Sequence, residues 1–327
     1  MKTQNKNNIK RINALLTSYP FCVKDQTPLK LAKKYKLEII GPALKEKRKL
    51  TKSEIINYIQ TADAVIAGTE KYDIEILENA KNLKIISRLG IGLDNINFAE
   101  TRKRNIAVAY TPDAPSNAVA ELTIGLIINA ARRILNVDND LRNNKWNRFV
   151  GLDICEKKIG IIGLGRIGKI LVKLLKPFNC KIFVNDIAPD EKFINENNLI
   201  FSAKNKIYKM CDVISLHIPL TNKTRNLITK KQLLQMKKNC ILINTSRGGI
   251  VNEKDLYDHL KATADFFAAV DVFEQEPYYG ELIKLNNIIL TPHVGSCSEK
   301  SRYLMELGAV QNIIDYFYAR QNVNILK

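Results

Sequence analysis

The sequence is short of the residues that build metal centres and membrane spans. Its 327 residues hold only three histidines, and its six cysteines include no C-x-x-C pair or other metal-type spacing, so no metal site is expected. Cys180 and Cys240 lie in apolar runs, Asn179-Cys180-Lys181-Ile182 and Asn239-Cys240-Ile241-Leu242, as reduced core thiols do. No apolar stretch approaches the roughly 18 residues a membrane helix needs. The longest, Ala118 to Ala131, contains Glu121. The first apolar cluster, Ile12 to Leu16, is too short and too polar for a secretory leader. These absences predict a reduced, cytoplasmic protein with no membrane partner.

Positive charge is what the chain has in excess. Lys and Arg number 51 against 33 Asp and Glu, a formal net charge of +18. Lysines are spread throughout a chain rich in Lys, Asn and Ile. The densest cluster, Lys45, Lys47, Arg48 and Lys49, falls in an expected loop, includes Glu46 and has no interleaved aromatics. No nucleic-acid motif accompanies it, so no nucleic-acid partner is expected. The charge suits attraction of small anionic substrates. Apolar residues at 46% and charged residues at 26% exclude disordered and collagen-like classes, and the length suggests about two domains.

Short apolar runs alternate with longer amphipathic stretches, the pattern of a parallel sheet wrapped by helices. After an Asn/Lys-rich start (1–10) that is expected to fray, strands are read at 12–16, 37–40, 64–67, 84–87 and 106–109. Between them run helices at 28–35, 51–60, 74–80 and 98–104; Thr51 and Glu54 have capping-box spacing. The segment Thr111-Pro112-Asp113-Ala114-Pro115 breaks the rhythm as a linker, and Ser116 opens a helix to about Leu135. More apolar strands follow at 158–163, 181–185, 213–217, 241–245, 266–271 and 288–290, suited to burial on both faces. A last helix runs from about Ser298 to Ala319.

Gly163-Leu164-Gly165-Arg166-Ile167-Gly168 matches G-x-G-x-x-G between a strong strand and an amphipathic helix, and the next strand ends in Asp186. That context is the dinucleotide fingerprint. Gly163 permits the tight turn, Gly165 lets backbone approach a pyrophosphate, and Gly168 lets helix and strand pack closely. The helix opening at Arg166 and Ile167 offers free N–H groups to the phosphates. Asp186 suits a ribose diol and repels a 2′-phosphate, so NAD is expected. Of the histidines, His259 lies in an expected surface helix and is read as solvated. His217 and His293 stand at strand ends, where open α/β sheets gather ligands, as do Arg247 and Asp271.

Those residues, with His217-Ile218-Pro219-Leu220-Thr221, Asn244-Thr245-Ser246-Arg247-Gly248-Gly249, Asp271-Val272-Phe273-Glu274-Gln275-Glu276-Pro277 and Thr291-Pro292-His293-Val294-Gly295, resemble the D-isomer-specific 2-hydroxyacid dehydrogenases. Ser87-Arg88-Leu89-Gly90-Ile91-Gly92-Leu93-Asp94 resembles the substrate loop of their phosphoglycerate dehydrogenase-like branch, in a short form. The resemblance implies an Arg-Glu-His catalytic trio, Arg247, Glu276 and His293; Glu276 is preferred to Glu274 because it directly precedes Pro277. It places Asp271 at the nicotinamide and lines the cofactor with His217, Ile218, Pro219, Thr245, Ser246 and Gly295. It also implies two doubly wound parallel-sheet domains. A Rossmann NAD-binding domain (114–296) is inserted into a flavodoxin-like substrate domain (1–113 and 297–327), with a hinge near Ala114 and Val294. A homodimer is implied, built with the helix after Ser116; the other reading of that helix is a buried interdomain element.

The same resemblance puts Gly90, Ile91 and Gly92 at the substrate carboxylate, as a nest of backbone N–H groups, with Arg88 and Arg148 near a substrate phosphate. One departure stands out. Such enzymes often carry an Arg after the strand Ala64–Ala67, where this chain has Gly68-Thr69, with Lys71 as a partial substitute. With the last residue at Lys327, no regulatory extension is expected. The leading reading is an NAD-dependent oxidoreductase with 3-phosphoglycerate as substrate. The alternatives are a hydroxypyruvate, glyoxylate or other 2-keto acid reductase and, in another class, an NAD-sensing corepressor-type binding protein.

Overall fold

The structure, a computed structural model, describes residues 11–322 and 324–326. The N-terminal segment 1–10 lies outside the described residues. In chain order the described strands are Ile12–Leu16 (β1), Leu37–Ile40 (β2), Ala64–Ala67 (β3), Ile85–Arg88 (β4), Ala107–Ala109 (β5), Lys158–Ile162 (β6) and Lys181–Asn185 (β7). They continue with Ile200–Phe201 (β8), Val213–Leu216 (β9), Ile241–Asn244 (β10), Phe267–Val270 (β11), Ile288–Leu290 (β12) and Ile325–Leu326 (β13). The chain divides into two compact units. One ends at Pro115 and resumes at Cys297; the other runs Ser116–Ser296.

The first unit holds a six-stranded sheet in the order β13-β5-β4-β3-β1-β2. Its strands are parallel except for β13, which pairs antiparallel with β5. β3, β4 and β5 are buried along their whole length, the reason β3 and β5 are unbroken Ala, Val and Ile runs with no polar alternate position. The helix Glu299–Phe317 returns to this unit and places Met305, Ala309, Val310, Ile313 and Ile314 in its core. Each fully buried Leu, Ile or Val is worth about 1.5–3 kcal/mol, which anchors this C-terminal segment to the N-terminal sheet. The helix Lys52–Ile59 opens with the expected capping box: Glu54 N–H donates to Thr51 Oγ1 and Thr51 N–H to Glu54 Oε2.

The second unit holds seven parallel strands in the order β12-β11-β10-β9-β6-β7-β8. Both sheets are doubly wound, the expected α/β class. In the second, the chain runs outward from β6 through β7 and β8, then returns to β9 on the other side of β6. In the first, β2 and β3 flank β1 in the same way. Each reversal opens a crevice at the carboxyl ends of the two strands, where such sheets hold ligands.

Four details differ from the sequence reading. The helix opening at Ser116 ends at Arg132, and a second one, Ile134–Arg142, follows. The break is Arg133, in the left-handed region at φ +48. Its guanidinium sits 4.2 Å from the Phe149 ring centroid and 5.6 Å from that of Phe267. Such cation–π contacts offset the backbone cost. Second, the apolar residues of Ser116–Arg132 are largely spent inside its own unit, where Ala120, Leu126, Ile127 and Ala130 pack with Leu171, Val172 and Leu175. Third, the basic cluster is not all loop: Ala43–Glu46 is a short helix, and Arg48 pairs with Glu46 and Glu54. Fourth, His259 is half-buried, edge-on to Phe266 at 4.6 Å, and burial lowers its pKa.

Candidate functional site

The glycine-rich turn leaves β6 into the helix Arg166–Leu175 at the crevice between β6 and β9. Gly163 has φ +103, and a Cβ there would collide with the carbonyl of His217, just beyond β9. A Cβ on Gly168 would strike the carbonyl of Gly163. These two glycines are needed for close packing of turn, helix and neighbouring strand. Gly165 differs: nothing lies within 4 Å of where its Cβ would be. Backbone there is open to a ligand, next to the first N–H groups of a ten-residue helix. Asp186 is held in place by two backbone donors, Leu164 N–H at 2.6 Å and Ala188 N–H at 2.9 Å.

Three neighbouring strands, β10, β11 and β12, end in the expected chemistry. Asn244, the last residue of β10, shapes the turn beyond it: its Oδ1 accepts from Ser246 N–H and Oγ, and its Nδ2 donates to the Arg247 carbonyl at 3.0 Å. Arg247 Nη1 donates to the Ser246 carbonyl. Thr245 shares a hydroxyl contact with Thr123 at 3.0 Å. Asp271 directly follows β11 and is buried. Its Oδ1 accepts from Thr291 Oγ1 at 2.6 Å and Val294 N–H at 2.8 Å, and its Oδ2 from Gly295 N–H at 2.8 Å. Burial raises its pKa, and these three donors work against the rise.

His293 stands three residues past β12, in the left-handed region at φ +53. A non-glycine residue pays about 1–2 kcal/mol for that conformation, so it persists only where surrounding bonds enforce it. The imidazole Nδ1 lies 2.8 and 3.0 Å from the two oxygens of Glu276. Glu276 in turn accepts from Phe273 N–H. The imidazole remains 31% exposed, so a paired histidine with a free edge is presented at the strand ends. Glu274 contributes its backbone: its N–H donates to Glu253 at 2.6 Å.

His217 plays a quieter part. Its Nε2 lies 2.8 Å from Ser215 Oγ, its Nδ1 is buried with no partner, and burial lowers its pKa to about 4. Ile218 and Pro219 follow at the rim of the same crevice.

The substrate residues read from sequence are divided between the two units. Arg88 ends β4, buried, with its guanidinium on the Leu89 carbonyl. Gly90, at φ +135, spends its N–H on Thr111 Oγ1 at 2.8 Å and the Arg88 carbonyl at 3.0 Å. The Gly90 N–H is therefore used within the protein, which narrows the expected nest to the N–H groups of Ile91 and Gly92. Ile91 and Gly92 follow in the same turn. Arg148 is exposed and lines a surface hollow with Arg133, Lys261, Leu285, Asn286 and Asn287. Asn286 and Asn287 precede β12, so Arg148 sits at the opposite strand ends from His293 within its unit. At the crevice of the first unit, Lys49 Nζ donates to Thr69 Oγ1 at 3.0 Å, and the Glu70 carboxyl is buried, its pKa raised by burial and Thr17 Oγ1 bonded to it. Sequence reasoning read Lys49 only as part of a basic loop cluster and passed over Glu70, because neither belongs to a motif.

An open glycine turn, an acid fixed at the end of the next strand and a histidine–carboxylate pair at the same strand ends define the class, a dinucleotide-binding α/β protein. The comparisons with known proteins agree. The family description D-isomer specific 2-hydroxyacid dehydrogenase, NAD binding domain, matches residues 124–295. D-3-phosphoglycerate dehydrogenase of Methanocaldococcus jannaschii is 41% identical over 77% of this chain, which spans 49% of that protein's length. Glyoxylate reductase of Pyrococcus horikoshii is 35% identical over 88% of each chain. The NAD+-bound 3-phosphoglycerate dehydrogenase of Entamoeba histolytica superposes with a TM-score of 0.79 at 25% identity, over 97% of this chain and 99% of its own. The chain belongs to the D-isomer-specific 2-hydroxyacid dehydrogenases, oxidoreductases that use NAD. Among the described residues no helix is long and apolar enough to cross a membrane.

The buried His217 makes stability depend on pH. Unfolded, it binds a proton below its ordinary value of 6.5; folded, it stays neutral down to about 4. Between those values the unfolded chain holds more protons, so stability falls as pH falls through that window, by on the order of 3 kcal/mol at most. Thermal melts from pH 7 to 4 should show a shallower decline for His217→Gln than for the wild type. Parallel curves would remove His217 from this role.

Proposed function

We propose that this protein reduces a small anionic 2-keto acid, or oxidises its D-2-hydroxy acid, with Arg247, Glu276 and His293 as the catalytic residues. The observation that carries the proposal is the two-oxygen grip of Glu276 on His293 Nδ1. A carboxylate there binds Nδ1 and fixes the ring, which leaves Nε2 to pass a proton to the substrate oxygen. In the oxidative direction the neutral ring takes that proton back. Arg247 grips the substrate carboxylate with its planar fork and polarises the keto oxygen. NAD, when bound, supplies or accepts the hydride. Gly163, Gly165, Gly168 and the start of the helix at Arg166 and Ile167 suit its pyrophosphate, and Asp186 its ribose. Ile218, Pro219, Thr245, Ser246, Asp271 and Gly295 stand along the same strand ends.

For the substrate, the reading is 3-phosphoglycerate and its keto form, the substrate named for the M. jannaschii relative. Lys49 supports it by bringing a cation to Thr69, where the expected arginine is missing. A second reading is favoured by Glu70: a buried carboxyl at the end of β3 disfavours a phosphate and suits the unphosphorylated acids named for the P. horikoshii glyoxylate reductase and the Thermotoga maritima hydroxypyruvate reductase. NADH oxidation assayed side by side with phosphohydroxypyruvate, hydroxypyruvate, glyoxylate and pyruvate separates them. The first reading requires at least a tenfold preference in kcat/KM for the phosphorylated acid; a smaller preference selects the second.

A homodimer is the proposed assembly, supported by apolar residues on and after the helix Ile134–Arg142. Leu135 and Leu141 are exposed there, Trp146 is 81% exposed and Val150 93%, a concentration of apolar surface unusual for a monomer. Light scattering should give twice the chain mass for the wild type and one chain for Trp146→Glu with Val150→Glu. A monomeric wild type would contradict the proposal.

A further inference from the structure

Asp271 was expected at the nicotinamide, but its hydrogen bonds describe another task. Both lone pairs of Oδ1 are taken, by Thr291 Oγ1 and Val294 N–H, and one of Oδ2 is taken by Gly295 N–H. All three donors belong to the loop that carries His293. Val294 and Gly295 are the two residues after the left-handed His293, so their successive N–H groups form an anion-holding nest around the carboxylate. Gly295 packs tightly against the carboxylate: a Cβ there would lie 3.0 Å from Asp271 Oδ2. Asp271 itself is set by β11, its N–H donating to the Asn244 carbonyl of β10 at 3.0 Å. A rigid sheet position is thereby transmitted to a strained loop residue.

We propose that Asp271 is a positioning residue: its buried carboxylate holds the 291–295 loop so that His293 keeps the left-handed conformation that aims Nδ1 at Glu276. The inference rests on the reading of His293 as the proton-transfer group. It assigns Asp271 a role through the protein even before cofactor arrives, and leaves one lone pair of Oδ2 for any ligand contact. The carboxylate is required because only it accepts from three donors on two oxygens. A carboxamide must turn an NH2 toward either Gly295 N–H or the Thr291–Val294 pair.

The test needs no substrate. With three histidines in the chain, a downfield imidazole N–H proton from the His293–Glu276 bond can be assigned by its loss in His293→Asn. In Asp271→Asn the signal should vanish from the ligand-free protein. Turnover should fall at least a hundredfold while the NADH dissociation constant stays within threefold of the wild type. An intact signal with NADH binding weakened tenfold or more would overturn the proposal and make Asp271 a cofactor contact alone. If Asp271→Asn fails to fold, Thr291→Val removes one donor only. It should weaken the signal and lower turnover about tenfold at unchanged NADH affinity; no change in either overturns the proposal. A wild type that shows the signal but reduces none of the 2-keto acids would count against the substrate reading and not against this one.

Discussion

An imidazole can be aimed by a carboxylate only when the segments carrying both are themselves held still, and the rest of this site is arranged to meet that constraint. Glu276 and His293 lie on separate loops beyond β11 and β12, and the pair closes at 2.8 Å. The loop of Glu276 is tied back through Phe273 N–H, and through Glu274 N–H to Glu253. The loop of His293 is tied to Asp271 by three donors. Hydrogen bonds to an ionised group are about twice as strong as neutral ones, enough to maintain a strained backbone at the residue that needs it.

The two sheets share a logic of placement. Each reverses its strand order beside its first strand and puts polar chemistry at the carboxyl ends there: Gly163 and His217 in one unit, and Thr17, Gly68, Thr69 and Glu70 in the other. The two units differ in charge. The NAD-binding unit presents open N–H groups and a fixed acid, as a dinucleotide requires. The other combines a lysine, a buried arginine and a buried carboxyl at the carboxyl end of its sheet.

Much of this was legible in the sequence because its physics is local. The glycine turn needs six residues, its strand and its helix, all contiguous, and Asp186 falls at the end of the next strand. The strands were readable from runs of Ile, Val and Ala buried on both faces. The trio was reached only through resemblance, since spacing alone left Glu274 and Glu276 open. What stayed hidden depends on distant contacts. The helix break at Arg133 answers to Phe149 and Phe267; the strand Ile325–Leu326 exists only against β5; His259 is taken up by Phe266. The Gly90 N–H is claimed by Thr111, and the cation at Thr69 comes from Lys49, twenty residues upstream. No motif reports such pairings.

The account stands on His293 as a proton-transfer group and not as a structural element or a mere companion of bound NAD. The most direct measurement is turnover and NADH affinity of His293→Ala in parallel. Turnover should drop by orders of magnitude while NADH binding barely changes. Loss of both together, or turnover left intact, would contradict the account.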